Sequence, residues 1–303
     1  MSACSKKEVP PRPEGIEGRT LESFYPKNLK HITLKDHDCV YIDEGSGTPV
    51  LFLHGFSVNL AVFSDNFPTF SKTRRVVAFD YPGYYLSEKK GGVPYDIPFM
   101  ADAACELIEK LSLEHVVLVG SSMGGAVAIE TARRCPGKIS ALVLAAPAGF
   151  SGRQPFFARM VTVQEKLFSA EKYRAKFLER LILRVDTFFV NKQEPARDAL
   201  IGQYYLMEER GDFDLWIETL SRMARETLTV DNRGGLPGSP VPICVLWGDA
   251  DEVLPVEGAD IAREAFGNSA RIETIPGASH LFFVEMPAIF YERVDVFLKS
   301  ENL

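Results

Sequence analysis

The chain has 303 residues, 46% apolar and 25% charged, a composition that can bury a sizeable core in one domain carrying an insertion. Its net charge of −7 and pI near 5.4 argue against a nucleic-acid partner, which needs a basic face. The longest apolar runs fall short of the ~20 residues of a membrane-spanning helix.

Residues 1–27 are rich in Pro, Gly and charge and predict a disordered N-terminal arm. The absence of an exporting hydrophobic segment favours a cytoplasmic protein. "SAC" followed by "SKKEVPPRP" also resembles the start of a mature lipoprotein, so the alternative is lipid anchoring through Cys4 after removal of a signal peptide. The five cysteines are scattered without a CxxC pair, which predicts neither a disulfide framework nor a zinc site. Cys105 and Cys244 lie among apolar residues and are expected to be small core side chains.

From His31 the pattern becomes regular. "HITL" and "CVYI" predict a hairpin about the polar turn at Lys35–His37. "VLFLHG" and "RRVVAFD" are continuous apolar runs, and Met100, Ala103, Ala104, Leu107, Ile108 and Leu111 then recur at helical spacing. "HVVLVG", "GGAVAIETARR" and "ISALVLAAPA" predict strand, helix and strand. Such alternation implies an α/β fold with a mostly parallel sheet covered on both faces.

The strand-like runs stop between about 147 and 240. Leu178, Leu181, Ile182, Val185, Phe188 and Phe189 define one apolar stripe of a helix, and "DLWIETLSRMARETL" predicts another. An inserted helical cap over 147–240 is expected within a core formed by 28–146 and 241–303. "PICVLWG", a helix near Val256–Phe266, "ARIETI" and a helix from about Phe283 to Lys299 complete the core.

Gly120-Ser121-Ser122-Met123-Gly124 stands between a predicted strand and a predicted helix, the setting of a G-x-S-x-G elbow with Ser122 at its apex. The glycines have a steric purpose: at so sharp a turn, larger residues two positions either side of Ser122 would collide with neighbouring strand and helix. The helix then begins beneath the serine, its unpaired N–H groups facing any developing negative charge. A serine hydroxyl needs a base. Of the five histidines, His280 follows the last strand on a loop at the carboxyl edge of the sheet and comes last in the Ser…Asp/Glu…His order. His54 suits support of a loop, and His31, His37 and His115 flank strands. Asp249, Asp251 and Glu252 follow the strand Ile243–Trp247, and spacing does not choose among them as the acid.

These residues resemble the α/β-hydrolase superfamily from about residue 38 to 299. The resemblance is carried by His54-Gly55, "DYPGYYLS" over Asp80–Ser87, Gly120–Gly124, Trp247-Gly248-Asp249-Ala250-Asp251 and Gly277-Ala278-Ser279-His280. It implies a capped serine hydrolase similar to carboxylesterases and monoacylglycerol lipases, without metal or organic cofactor. Matching W-G-x-x-D selects Asp251 as the acid. The resemblance also implies an oxyanion hole formed by the backbone N–H groups of Phe56 and Met123. Tyr85 replaces the second glycine of the D-x-P-G-x-G-x-S segment, a departure that bears on the local turn and the pocket shape beside it but not on the triad. The expected substrate is a small apolar ester, with the cap residues Phe150, Phe156 and Phe157 as candidate pocket residues. Ordinary packing is the alternative for these and for Phe168, Phe177, Phe188 and Phe189.

Two other activities fit the same motifs. A meta-cleavage-type carbon–carbon bond hydrolase shares the cap and triad, although that resemblance would place Asn at Ser121 and Trp at Leu281. A slow-turnover binding member of the fold is the third reading. Asp-nucleophile epoxide hydrolases and dehalogenases conflict with Ser122.

Overall fold

The computed structural model describes residues 9–150, 171–236, 241–267 and 270–303. Eight strands form one sheet in the order β1-β2-β4-β3-β5-β6-β7-β8. They span β1 Lys30–Leu34, β2 His37–Gly45, β3 Pro49–Leu53, β4 Arg75–Phe79, β5 Val116–Ser121, β6 Ile139–Ala145, β7 Ile243–Gly248 and β8 Ala270–Ile275. β1 and β2 form the expected hairpin, with Lys35 and Asp36 both at positive φ (49° and 62°), as a two-residue turn of matching twist requires. β2 is antiparallel to β4; every later pairing is parallel. All residues of β5 and β7 are buried, which explains why their sequences are continuously apolar rather than alternating.

The described helices are α1 Phe67–Phe70, α2 Ile97–Lys110, α3 Met123–Arg134, α4 Glu171–Val185, α5 Pro195–Glu208, α6 Phe213–Thr229, α7 Glu257–Phe266, α8 Phe282–Glu285 and α9 Pro287–Ser300. α2 starts where Asp96 accepts a hydrogen bond from the Phe99 N–H (2.7 Å), with Pro98 in the first turn. None of the described helices is long and apolar enough to cross a membrane.

Helices α4–α6 lie between β6 and β7, within the segment expected to be an inserted cap. α6 buries Trp216, Ile217, Leu220, Met223 and Ala224, the stripe expected of its sequence. α4 is shorter than its stripe suggests. It ends at Val185 and a 3-10 turn over Asp186–Phe188 follows, whose Asp186 is paired with Arg197 of α5 (2.7 Å). The last helix is divided, because Pro287 has no N–H to donate and drives Met286 out of the helical region (φ −131°, ψ 54°).

Two further expectations fail. Within residues 9–27 the arm is packed rather than disordered: Ile16, Leu21 and Tyr25 are buried. Ile16 lies against Gly202 of α5, and Tyr205 donates to the Pro10 carbonyl (2.9 Å). A few apolar residues with a complementary helix outweigh the average polarity of the segment. Cys105 is also not a free core thiol. It forms a disulfide with Cys135, linking α2 to the end of α3. These helices pack side by side, so a separation of 30 residues becomes contact. Cys244 is buried and free, as expected.

Candidate active site

β5 passes directly into α3 through Ser122, which has φ 54° and ψ −118°, a conformation that L-residues adopt only under strain. The surroundings hold it there. Its N–H donates to Ala145 of β6 (2.9 Å), and its carbonyl accepts from Gly125 (2.9 Å) and Ala148 (3.0 Å). The steric purpose of the flanking glycines is visible. A Cβ at Gly120 would lie 2.3 Å from the Gly124 carbonyl oxygen, and one at Gly124 would lie 2.0 Å from that of Leu53. The turn therefore needs both positions bare. Met123 opens α3, so no earlier helical carbonyl receives its N–H.

Asp251 and His280 come from the loops after β7 and β8. Ala250 donates to Ala278 (3.0 Å), and Asp249 accepts from the Gly277 N–H (2.6 Å), which joins the two loops. Asp249 is exposed and serves this loop contact. Asp251 has a buried side chain: one oxygen accepts from the N–H groups of Val253 and Leu254 (both 2.8 Å), and the other meets His280 Nδ1 at 2.7 Å. That partnership places the imidazole proton on Nδ1 and leaves Nε2 as the basic nitrogen. Of the three acids left open by spacing, the imidazole pairs with Asp251.

Ser122 stands at the end of β5, with β6 and β7 following it in the sheet. Among the described residues, no hydrogen bond runs from its Oγ to the imidazole. The loop after β3 lies against the serine: a Cβ at Gly55 would be 3.4 Å from Ser122 Cβ. His54 is fully buried, and burial lowers its pKa to about 3. It is therefore neutral, accepting from the Tyr81 N–H (3.4 Å) and donating through Nδ1 to the Gly55 carbonyl (2.9 Å). This is the loop support expected of it.

Tyr85 retains the left-handed turn that glycine would adopt (φ 35°) and is fully buried. Its ring packs edge-on against Trp216 of α6, with centroids 5.4 Å apart. Phe150 is buried against Phe266 of α7, with ring centroids 5.4 Å apart, which matches the packing alternative rather than a pocket wall. Phe156, Phe157 and Phe168 lie outside the described residues. Phe188, in the 3-10 turn after α4, lies beside the site: its ring centroid is 6.2 Å from that of His280, and its carbonyl accepts from the Leu281 N–H (3.1 Å). Nothing in the helical stripe distinguishes Phe188, because its position depends on α4 ending at Val185.

A nucleophile elbow at the carboxyl edge of a parallel sheet, with an Asp–His pair on the following loops, defines a hydrolase of the α/β class. Residues 50–293 match the alpha/beta hydrolase family, and the chain belongs to it. It is 38% identical over 255 residues to a putative esterase/lipase of Mycoplasma genitalium, covering 82% of this chain and 88% of that protein. It is 32% identical over 266 residues to 2-hydroxymuconate semialdehyde hydrolase of a Pseudomonas strain, covering 86% and 90%. An esterase from Exiguobacterium antarcticum superposes with a TM-score of 0.74 at 25% identity, covering 89% of this chain and 99% of that one.

Proposed function

We propose that the protein is a serine esterase acting on carboxylic esters with an apolar acyl or alcohol part. The observation that carries the reading is the strained Ser122 at the elbow, at the same sheet edge as a His280–Asp251 pair oriented by hydrogen bonds. Ser122 Oγ attacks the carbonyl carbon as its proton passes to His280 Nε2. The N–H groups of Phe56 and Met123 receive the oxyanion. His280 protonates the departing alcohol and the acyl-enzyme forms. Water then loses a proton to His280 and attacks the acyl carbon; the acid leaves and Ser122 regains its proton. Asp251 holds the imidazole tautomer and stabilises the imidazolium. Phe188, beside His280, supplies apolar surface for the substrate.

The esterase relatives support ester cleavage, while the semialdehyde hydrolase keeps carbon–carbon bond cleavage as a second reading. The Cys105–Cys135 disulfide favours an oxidising compartment over the cytoplasm as the place of action. Two measurements test the activity. A fluorophosphonate probe should label the protein stoichiometrically and fail to label Ser122→Ala, which should lose about 10⁶-fold in kcat. A p-nitrophenyl ester series from C2 to C16 should be turned over in preference to a meta-cleavage dienoate. Preference for the dienoate overturns ester specificity, and no labelling favours a binding protein.

A further inference from the structure

We infer that Tyr85 and Tyr204 are positioning residues for the Phe56 N–H, tying the oxyanion loop to the cap through Ser57; this rests on the reading of Phe56 as an oxyanion donor. Ser57 is fully buried and left-handed (φ 59°). The Tyr85 hydroxyl, from the loop after β4, donates to the Ser57 carbonyl. The Tyr204 hydroxyl, from cap helix α5, donates to Ser57 Oγ at 2.9 Å. On the other side of Phe56, His54 Nδ1 holds the Gly55 carbonyl. A trans peptide directs its N–H opposite to its carbonyl, so fixing the Gly55 oxygen aims the Phe56 N–H. The residue that follows must then stay in a conformation that non-glycine residues leave readily. Two phenols on one serine prevent that relaxation: if Tyr85 were withdrawn, Ser57 would be left with a buried carbonyl lacking its donor.

The phenols are themselves anchored. The Tyr85 ring meets Trp216 of α6 edge-on, with centroids 5.4 Å apart. Lys89, its side chain fully buried, donates to the carbonyls of Tyr85 and Ser87 and pairs with Asp212 of the cap at 3.0 Å. Asn59 of the oxyanion loop donates to Gln203, next to Tyr204 (2.5 Å). Burial raises the pKa of both phenols, so they remain donors across the working pH range. The residue that departs from the family's glycine thus joins Tyr81 and Asp80 in tying the β4 loop to the oxyanion loop.

Tyr85→Phe, Tyr204→Phe and Ser57→Ala test this in the full-length protein. Kinetics are measured on a p-nitrophenyl ester and on its thionoester, with thermal unfolding measured in parallel. An intact oxyanion hole favours oxygen over the larger, weaker-accepting sulfur, so the ester-to-thionoester ratio of kcat/KM reports its geometry. Each variant should lose about 10-fold in kcat, less than deletion of a donor outright, with KM within about 2-fold and a lowered ratio. The inference is overturned if folded variants keep kcat and the ratio within about 2-fold of wild type. If the wild-type enzyme itself fails to discriminate, or Ser122→Ala remains active, the esterase reading fails instead. Should Tyr85→Phe not fold, Tyr204→Phe and Ser57→Ala decide by the same criteria.

Discussion

The elbow at Ser122 and the loop over Gly55–Ser57 meet at the same place by different means. Both contain a left-handed non-glycine residue, Ser122 at φ 54° and Ser57 at φ 59°. At the elbow, strain is stabilised locally, by bare positions at Gly120 and Gly124 and by the adjoining ladder with β6. At the loop it is stabilised by side chains distant along the chain: Tyr85, Tyr204 and, through the Leu60 N–H, the carboxylate of Asp80. A turn made by absent side chains is written in a few consecutive residues. A turn made by distant donors is visible only after folding.

After loss of Ser122 itself, the largest effect should come from the acid that completes the elbow's chemistry. Asp251→Asn should lower kcat about 10⁴-fold by favouring the wrong imidazole tautomer, while Asp249→Asn, which only loosens the Gly277 contact, should change it by less than about 10-fold. Ester kinetics of the two variants side by side check this; the reverse order would reassign the acid. Next is the local contribution to the elbow. Gly124→Ala places a methyl group against the Leu53 carbonyl and should cost about 3 kcal/mol or more in stability, read by denaturant unfolding. A near-neutral result would mean that the elbow relaxes more easily than its packing suggests.

The disulfide behind the elbow should contribute about 2–4 kcal/mol, measured by unfolding with and without reductant. The denatured oxidised protein should titrate two fewer thiols than the reduced one. The smallest effect concerns the non-local side. Burial raises the Asp80 pKa to about 7, although hydrogen bonds from Tyr25 and Leu60 oppose the shift. The protonated carboxyl therefore favours the folded state, and its contribution is full below pH ~4 and lost as pH rises through about 7. Asp80→Asn cannot ionise, so its Tm should fall less than that of wild type between about pH 4 and 8. Parallel slopes would show that Asp80 does not govern this loss.

Much of the core is legible in the sequence. Val and Leu runs buried on both faces identify parallel strands, and the glycines around Ser122 identify the elbow, because both are short-range consequences of burial and sterics. The Asp80 motif was also visible, but its partner Tyr25 was not, since the polar composition of residues 9–27 masks the few residues that pack. Phe188 was inseparable from its aromatic neighbours until the end of α4 placed it beside His280. The Cys105–Cys135 bond depends on how two helices pack, which spacing does not encode.

By itself the sequence determined the order of strands and helices, the strained serine and the three acids from which one would be chosen, because each follows from neighbours within a few residues. The W-G-x-x-D resemblance already pointed to Asp251 among those acids; tertiary structure alone decided that the N-terminal segment docks on α5 and that two tyrosines converge on Ser57. Those contacts join residues brought together only when the strand-end loops and the cap pack on one another, and hydrogen-bond geometry over such separations is set by the whole fold.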